Sequence, residues 1–193
     1  QVHQSDANVE ITVLCGESRL AYDRVYLSSF FSGASADDLA LTTPAQYAEW
    51  GVNVVTNALV TDIDRDNNKV TTSEGQVFSY DKLVLATGSY PFVPPIPGND
   101  QEHCLVYRTI DDLLAIEASA AVSKVGVVVG GGLLGLEAAN ALKQAGLDTH
   151  VVEFAPQLMA VQLDQAGGNV LKDKIEALGV TVHTQKATQT IEA

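Results

Sequence analysis

Hydrophobic and polar positions follow two different periods along this chain, and the changes of period predict its elements. Short runs rich in β-branched residues, bounded by glycine or by polar residues, predict strands. These runs occupy residues 9–15, 52–55, 125–129, 149–153 and 180–183. A further strand is predicted at residues 82–86, where Lys82 is followed by four apolar residues. Such a continuous apolar run is typical of a strand that is covered on both faces.

Helices are predicted where apolar residues recur at helical spacing between a start signal and a stop signal. Residues 43–50 carry a Thr43 cap and Pro44 at the first helical position, and Gly51 ends the helix. Further helices are predicted over residues 110–118, 133–144 and 164–178. The two later ones stop at Gly146 and Gly179.

The spacing of these elements predicts two kinds of sheet. Residues 58–80 alternate in short segments broken by 66–68 and 74–75, which predicts a small antiparallel meander. Residues 125–153 instead form a strand, a glycine turn, a helix and a second strand, which is a β-α-β unit of a parallel sheet. The fold class predicted is therefore α/β.

A proline-rich stretch separates the two patterns and predicts a stiff, extended connection between two domains. It consists of Pro91, Pro94, Pro95 and Pro97, and Gly98 closes it. We place the first domain at residues 1–104 and the second at residues 105–193. The chain begins without Met, and we expect both domains to be incomplete at the ends of this sequence.

Composition narrows the function classes. There are 11 Lys and Arg against 24 Asp and Glu in 193 residues, and the net charge of −13 argues against non-specific nucleic-acid binding. The two cysteines, Cys15 and Cys104, lie far apart, which excludes a C-x-x-C dithiol and a four-cysteine cluster; we expect plain thiols. The most apolar stretch, residues 125–142, contains Glu137 and four glycines, so we expect no membrane span and a cytoplasmic protein.

Metal binding and nucleophilic catalysis have weaker support in the sequence. The four histidines are scattered along the sequence without cysteine or carboxylate at ligand spacing, so no metal site is expected; they are His3, His103, His150 and His183. No G-x-S-x-G nucleophile motif is present. The acidic run Asp62, Asp64 and Asp66 is interpreted as a solvated hairpin turn, and Asp111 with Asp112 as favourable charges at a helix N-terminus.

The strongest signal is the glycine-rich turn at residues 130–135, with the sequence Gly-Gly-Gly-Leu-Leu-Gly. It follows a predicted strand and opens a predicted helix, which is the dinucleotide-binding context. Gly130 permits the tight turn, Gly132 lets the backbone approach a pyrophosphate, and Gly135 allows close packing of helix on strand. The alternative is a glycine turn that packs the helix without any ligand.

The flanking residues complete the predicted site. The helix N-terminus at Leu133 and Leu134 offers free N–H donors and a partial positive charge to phosphate. Glu153, at the end of the next strand, can accept from the adenosine ribose hydroxyls. Phe154 follows it where an arginine would favour a 2′-phosphate, so NADH is preferred over NADPH.

Several segments carry a family resemblance. Residues 81–88 (Asp-Lys-Leu-Val-Leu-Ala-Thr-Gly), the proline-rich stretch and the glycine turn ending in Glu137 together resemble the flavoprotein reductases with two dinucleotide-binding domains. More narrowly, the chain resembles the large-subunit family of assimilatory NAD(P)H-dependent nitrite reductases. The segments that carry this likeness are 20–29, 86–91, 106–110, 130–139, 150–156 and 162–165.

The resemblance implies Rossmann-like parallel sheets plus a β-meander, with part of an FAD domain and part of an NAD domain. It implies FAD contacts at six positions: Glu17 at the ribose, Val60 at the adenine, Thr87 and Gly88 near the flavin, and Arg24 and Arg108. Glu137 would face the nicotinamide side of the bound NAD.

The sequence departs from the family at two points. Ser29 stands where related ferredoxin and rubredoxin reductases have a lysine near the flavin. The glycine motif of the FAD domain does not occur in the sequence, and we expect this chain to begin after it. We therefore expect the purified chain to be colourless or only weakly yellow.

The activity implied is hydride transfer from NADH to FAD, with no side chain of this chain assigned a catalytic role. In the full nitrite reductase, a [4Fe-4S] cluster and sirohaem outside this chain would reduce nitrite to ammonia. The partners implied are NADH, the remaining domains and a small subunit. Two alternatives stay open: a reductase of the ferredoxin or rubredoxin type, and a non-catalytic nucleotide-binding module.

Overall fold

The computed structural model describes residues 9–192; Gln1–Asn8 and Ala193 lie outside the described residues. The strands are β1 (Ile11–Leu14), β2 (Val52–Val55), β3 (Val60–Asp64), β4 (Lys69–Thr72), β5 (Val77–Ser79), β6 (Val125–Val129), β7 (Asp148–Val152) and β8 (Val180–His183). The helices are α1 (Pro44–Glu49), α2 (Ile110–Val122), α3 (Leu133–Gln144) and α4 (Gln165–Ala177), besides a 3₁₀ helix (Leu27–Ser32).

The chain forms two compact units. Among the described residues, the first contains 9–23 together with 37–88, and the second contains 24–36 together with 89–192. In the first unit, β1 and β2 pair in parallel, with Ile11 opposite Val52. The predicted meander is confirmed, because β3, β4 and β5 form a separate antiparallel sheet in that order.

Local polar contacts in the first unit explain where its elements begin and end. The Thr43 side chain and Gln46 form a reciprocal capping box at the start of α1. The hairpin turn predicted at the acidic run is confirmed: Asp64 accepts hydrogen bonds from the backbone N–H of Asp66 (3.1 Å) and Asn67 (3.0 Å). The Asn67 side chain also donates to Asp64, and these hydrogen bonds hold the pKa of the Asp64 carboxyl below its usual value.

The second unit is built on the parallel sheet β6-β7-β8. The β-α-β prediction is confirmed: α3 connects β6 to β7, and α4 connects β7 to β8. Alternate residues of β7 and β8 face the helices, so Val151, Val180 and Val182 pack with Ala139 of α3. Leu158, from the segment after β7, completes this core and is fully buried.

The strand predicted at residues 82–86 is wrong. The segment forms no strand, and its apolar side chains are exposed: Val84 is 84% and Leu85 is 65% accessible. An apolar run predicts burial only if another element pairs with it, and no strand among residues 9–192 does so. The other predicted elements agree with the structure to within about two residues, except that α2 continues four residues further, to Val122. The 3₁₀ helix Leu27–Ser32 was not predicted.

Composition also led us to expect plain cysteine thiols and no membrane-spanning segment. Cys15 and Cys104 are both free thiols and half-buried. Burial, helped by the nearby Glu17 carboxylate, raises the pKa of the Cys15 thiol. No helix in the described part of the chain has both the length and the apolar content needed to cross a bilayer.

Replacing Leu158 by Ala tests the core of the second unit. Because Leu158 is fully buried, we expect L158A to lower the free energy of unfolding by about 2–5 kcal/mol, measured by urea denaturation. L178A is the matched control, since Leu178 is 67% exposed and should cost less than about 1 kcal/mol. Equal losses for the two variants would contradict this description of the core.

Candidate nucleotide-binding site

The glycine turn lies at the carboxyl end of the parallel sheet. Gly130 follows β6 with a φ of +117°, a left-handed conformation that glycine adopts without strain. Its N–H donates to the carbonyl of Val152 at the end of β7, at 2.8 Å. Gly132 is the N-cap of α3, and no side chain caps that helix. The turn therefore joins the ends of two neighbouring strands to an uncapped helix N-terminus.

The glycines of the turn differ in the space that surrounds them. A Cβ at Gly135 would overlap the carbonyl oxygen of Gly130, so the predicted close approach of helix and strand is present. A Cβ at Gly131 would lie 2.5 Å from Leu158 Cδ2. A Cβ at Gly132, by contrast, would meet no atom within 4 Å. The space in front of Gly132 is therefore open, as a pyrophosphate site requires.

Glu153 lies directly after β7 and braces this turn. One carboxylate oxygen accepts from the N–H of Gly131 and the other from the N–H of Ala155, both at 2.6 Å. A carboxylate oxygen has a second lone pair, so each can accept one more hydrogen bond. Glu153 is therefore already positioned at the turn and keeps the capacity to accept from ribose hydroxyls.

The segment after Glu153 also supports the turn, which sequence reasoning missed. The N–H of Met159 donates to the carbonyl of Gly131 at 3.0 Å, and Met159 has a φ of +51°. Gln157, which is buried, donates to the carbonyl of Leu163 at 2.7 Å and shapes the same segment. The contact between Met159 and Gly131 joins residues 28 positions apart, and no local sequence pattern predicts it.

The arrangement fits the pyrophosphate and adenosine ribose of NAD. The first N–H groups of a helix lack intrahelical partners and attract phosphate oxygens. In α3 these groups belong to the turn containing Leu133 and Leu134, whose side chains are 59% and 56% exposed. Phe154, beside Glu153, is 79% exposed. Uncapped backbone N–H groups, a carboxylate and accessible apolar side chains thus occupy one edge of the sheet.

The residues expected to contact FAD are distributed over both units. In the first unit, Glu17 follows β1 and accepts from the Tyr22 hydroxyl at 2.6 Å, and Val60 opens β3. Thr87 and Gly88 lie in an exposed, irregular segment. The Glu17 position fits a ribose-binding carboxylate, but the described residues of this unit contain no glycine turn between a strand and a helix.

The second unit contains the two arginines expected to contact FAD, and the structure brings them together. Arg24 donates through Nη1 to the backbone carbonyl of Arg108 at 3.2 Å. The backbone N–H of Arg108 donates in turn to the Asp112 carboxylate at 3.1 Å. Asp112 also forms a capping box with Thr109, which gives the predicted favourable charge at the start of α2 a specific hydrogen-bonding role.

Tyr107 is a polar residue that sequence reasoning did not single out. Its hydroxyl oxygen is buried and has no hydrogen-bond partner among the described residues. Burial, with a smaller contribution from the Glu137 carboxylate of α3, raises the pKa of Tyr107 to about 12. No sequence pattern marks this residue, because a tyrosine outside any binding motif is usually a packing residue.

The histidines are less scattered than the sequence indicated. His150 Nδ1 and His183 Nε2 lie 3.1 Å apart on the neighbouring strands β7 and β8, and Asp148 is 3.6 Å from the other nitrogen of His150. The parallel register places His183 beside Val152, next to His150, which spacing along the sequence does not show. Within residues 9–192, no three potential ligands come together as a metal site; His3 lies outside the described residues.

The sequence of this chain is similar to those of known oxidoreductases. Residues 2–193 match the family model described as pyridine nucleotide-disulphide oxidoreductase. The chain is 56% identical over 182 residues to the nitrite reductase (NADH) large subunit of Escherichia coli, covering 94% of this chain and 22% of that protein. The chain therefore spans about a fifth of the length of this relative, and the likeness inferred from the sequence is confirmed.

Solved structures show the same fold. A ferredoxin reductase from Rhodopseudomonas palustris superimposes with a TM-score of 0.90 at 26% identity, over all of this chain and 48% of that one. NADH:rubredoxin oxidoreductase from Clostridium acetobutylicum gives a TM-score of 0.85 at 29% identity, over 93% of this chain and 47% of the other. The predicted combination of parallel sheets and an antiparallel meander is thus confirmed.

Two glycine substitutions test the geometry of the turn. G135A places a methyl group against backbone that cannot move aside, so we expect it to reduce the free energy of unfolding by about 1–3 kcal/mol or more. G132A places the same group in open space, at a φ of −81°, and should unfold nearly as the parent chain does. Thermal denaturation followed by circular dichroism measures both. Equal destabilisation would show that the helix does not approach the strand as described.

Alkaline titration tests the environment of Tyr107. Its ordinary pKa is 10.0 and its pKa in the folded chain is about 12, so between these values the unfolded chain ionises first. The contribution of Tyr107 to stability is fully present below pH 10 and is lost as the pH rises towards 12. The tyrosinate absorbance difference between parent and Y107F should have its midpoint near the upper value. A midpoint at the ordinary pKa would contradict the burial of the hydroxyl.

Proposed function

The chain belongs to the pyridine nucleotide-disulphide oxidoreductase family, and we propose that its second unit binds NAD(H) at the glycine turn. In this proposal the pyrophosphate lies against the N–H groups from Gly132 to Leu134, at the start of α3. The adenosine ribose hydroxyls donate to Glu153. The roles of Gly130 and Gly135 are to shape the turn rather than to contact the nucleotide with a side chain.

One observation carries the proposal: the Glu153 carboxylate and the uncapped start of α3 meet at the same turn. Glu153 is 2.6 Å from the Gly131 nitrogen, so the sugar-binding and phosphate-binding groups are adjacent before any ligand arrives. Pre-positioned groups bind with less loss of conformational entropy than mobile ones. A turn that served packing alone would not need an open face at Gly132.

The same carboxylate supports a preference for NADH over NADPH. A 2′-phosphate on the adenosine ribose would be repelled by Glu153, and Phe154 offers it no positive charge. The chain also has a net charge of −13, which disfavours an additional phosphate. We therefore propose NADH as the physiological form.

At the level of the family, the chain is part of an oxidoreductase that uses FAD together with NAD(H). Bound FAD would supply the redox chemistry that takes up a hydride from NADH and releases electrons one at a time. We propose residues 1–104 as the FAD-binding part and residues 105–193 as the NAD-binding part. Glu17, Val60, Thr87, Gly88, Arg24 and Arg108 remain the proposed FAD contacts.

We further propose that the whole protein is a cytoplasmic nitrite reductase and that this chain is its electron-input module. The support is 56% identity over 94% of the chain to a protein with that activity in its name. In this proposal, nitrite is reduced to ammonia at a [4Fe-4S] cluster and sirohaem carried elsewhere, and a small subunit is a further partner. No residue of this chain is assigned to that step.

A reductase of the ferredoxin or rubredoxin type is the second candidate, because solved reductases of both kinds share the fold. Their identities of 26% and 29% are about half that of the nitrite reductase relative. The iron and sirohaem content of the natural full-length protein separates the two. Sirohaem supports nitrite reduction, and its absence supports transfer to a separate iron–sulfur protein.

Isothermal titration with NADH, NADPH and ADP tests the binding proposal on the chain itself. The parent chain should bind NADH at least about tenfold more tightly than NADPH, because of Glu153. G132A should remain folded yet lose at least about tenfold in affinity for NADH, since its methyl group fills the open face at the turn.

G146A is the matched control, because Gly146 lies in the turn after the other end of α3, and a Cβ there meets no atom within 4 Å. Its φ is +88°, so this variant is compared at a temperature where it is fully folded. Equal binding of NADH by the parent chain and G132A would overturn the proposed position of the pyrophosphate. Failure of the parent chain to bind any of the three nucleotides would leave a turn that only packs.

A further inference from the structure

The segment after β8 runs beside Glu153 and fixes the position of Lys186. The N–H of Glu153 donates to the carbonyl of His183 at 2.8 Å, and the N–H of Lys186 donates to the carbonyl of Glu153 at 3.0 Å. The N–H of Gln185 donates to the carbonyl of Ala155, also at 3.0 Å. These hydrogen bonds continue the pairing of β7 with β8 past the ends of both strands. The backbone of Lys186 is therefore held next to Glu153, at the same edge of the sheet.

The side chain of Lys186 is available at this edge. Gln185 has a φ of +56°, a left-handed conformation that turns the chain just before the lysine. The Lys186 side chain is exposed, and it forms no ion pair with any residue from 9 to 192. A lysine ammonium on a flexible four-carbon stem can reach groups that lie around the backbone holding it.

The position of this charge is distinctive within the second unit. Among the described residues, Lys186 is the only Lys or Arg within three residues after the end of a strand of the sheet β6-β7-β8. Lys124, by contrast, precedes β6 and so lies at the opposite edge. In a chain with a net charge of −13, a single basic side chain thus stands beside the carboxylate proposed to bind ribose.

A carboxylate and an ammonium at one position act differently on the two nicotinamide nucleotides. NADH and NADPH share the pyrophosphate and differ in one group, the phosphate on the 2′ oxygen of the adenosine ribose. Glu153, proposed to accept from the ribose hydroxyls, repels that phosphate. An ammonium attracts it, and the charge-assisted hydrogen bond between them is stronger than a hydrogen bond to a neutral hydroxyl. The net preference therefore depends on both side chains.

We propose that Lys186 is a specificity-determining residue of the nucleotide site: its ammonium contacts the 2′-phosphate of NADPH and so limits the preference for NADH that Glu153 sets. This inference rests on the proposed binding of NAD(H) at the glycine turn. NADH remains the favoured nucleotide, and NADPH binds more tightly than it would beside Glu153 alone. Lys186 has no part in hydride transfer.

The substitution K186Q removes the charge and keeps a polar side chain of similar reach. Affinities for NADH and NADPH are measured by isothermal titration on the same samples. We expect K186Q to bind NADPH about fivefold more weakly than the parent chain, and to bind NADH within about twofold of the parent value. K186R keeps the charge and should bind both nucleotides as the parent chain does.

K124Q is the matched control for the loss of one positive charge. Lys124 is also exposed, but it lies at the opposite edge of the sheet, so both affinities should stay unchanged. Without nucleotide, K186Q should melt at the same temperature as the parent chain, because an exposed side chain without an ion pair contributes little to stability. A marked fall in melting temperature would show that Lys186 is a structural residue, which overturns the inference.

Ionic strength provides a second readout of the proposed contact. Salt screens the attraction between an exposed ammonium and a phosphate. The difference in NADPH affinity between the parent chain and K186Q should therefore shrink as the salt concentration is raised. A difference that does not vary with salt would show that the substitution alters the shape of the site rather than its charge, and this contradicts the proposal.

Three binding results overturn the inference and leave the glycine-turn site intact. The first is equal binding of NADPH by the parent chain and K186Q. The second is an equal loss for NADH and NADPH, which places the charge at the shared pyrophosphate. The third is binding of NADH by the parent chain without measurable binding of NADPH, which shows that nothing offsets Glu153. If the parent chain binds neither nucleotide, the proposed function fails, and this inference fails with it.

Discussion

The site depends on one backbone contact, the approach of α3 to the end of β6 where Gly135 lies against the carbonyl of Gly130. No side chain can be placed between them, so the helix begins directly at the end of the strand. Its free N–H groups then open at the edge of the sheet where β7 delivers Glu153. The backbone proposed to bind phosphate and the carboxylate proposed to bind ribose adjoin as a consequence of this packing.

Glu153 also stabilises the structure around the turn. By accepting from the N–H groups of Gly131 and Ala155, it ties the glycine turn to the segment after β7. The buried Leu158 then packs against Gly131, where any larger residue would collide with it. The glycine turn is thus continuous with the hydrophobic core of the second unit, so we expect substitutions at the turn to act on stability, on the proposed binding or on both. Tyr107 is the opposite case, because its buried hydroxyl forms no hydrogen bond with any described residue.

The sequence predicted most of the second unit because its signals are local. Strand β6, the glycine turn, α3 and β7 each follow from periodicity and glycine placement within about 30 residues. The strand predicted at residues 82–86 was wrong because burial needs a partner that composition cannot specify. The contact of Met159 with Gly131 and the pairing of His150 with His183 depend on loop path and strand register, which no single segment encodes. The site roles assigned to Glu17, Glu137 and the arginines remain predictions.

The most direct test of the account is a nuclear magnetic resonance titration of the 20.4 kDa chain with NADH, followed through backbone amide shifts. The account predicts that the largest saturable changes occur at the amides from Gly131 to Leu134 and at Ala155, because these N–H groups surround the proposed pyrophosphate and the Glu153 carboxylate. Saturable changes elsewhere with these amides unmoved, or no saturable change at all, would contradict it.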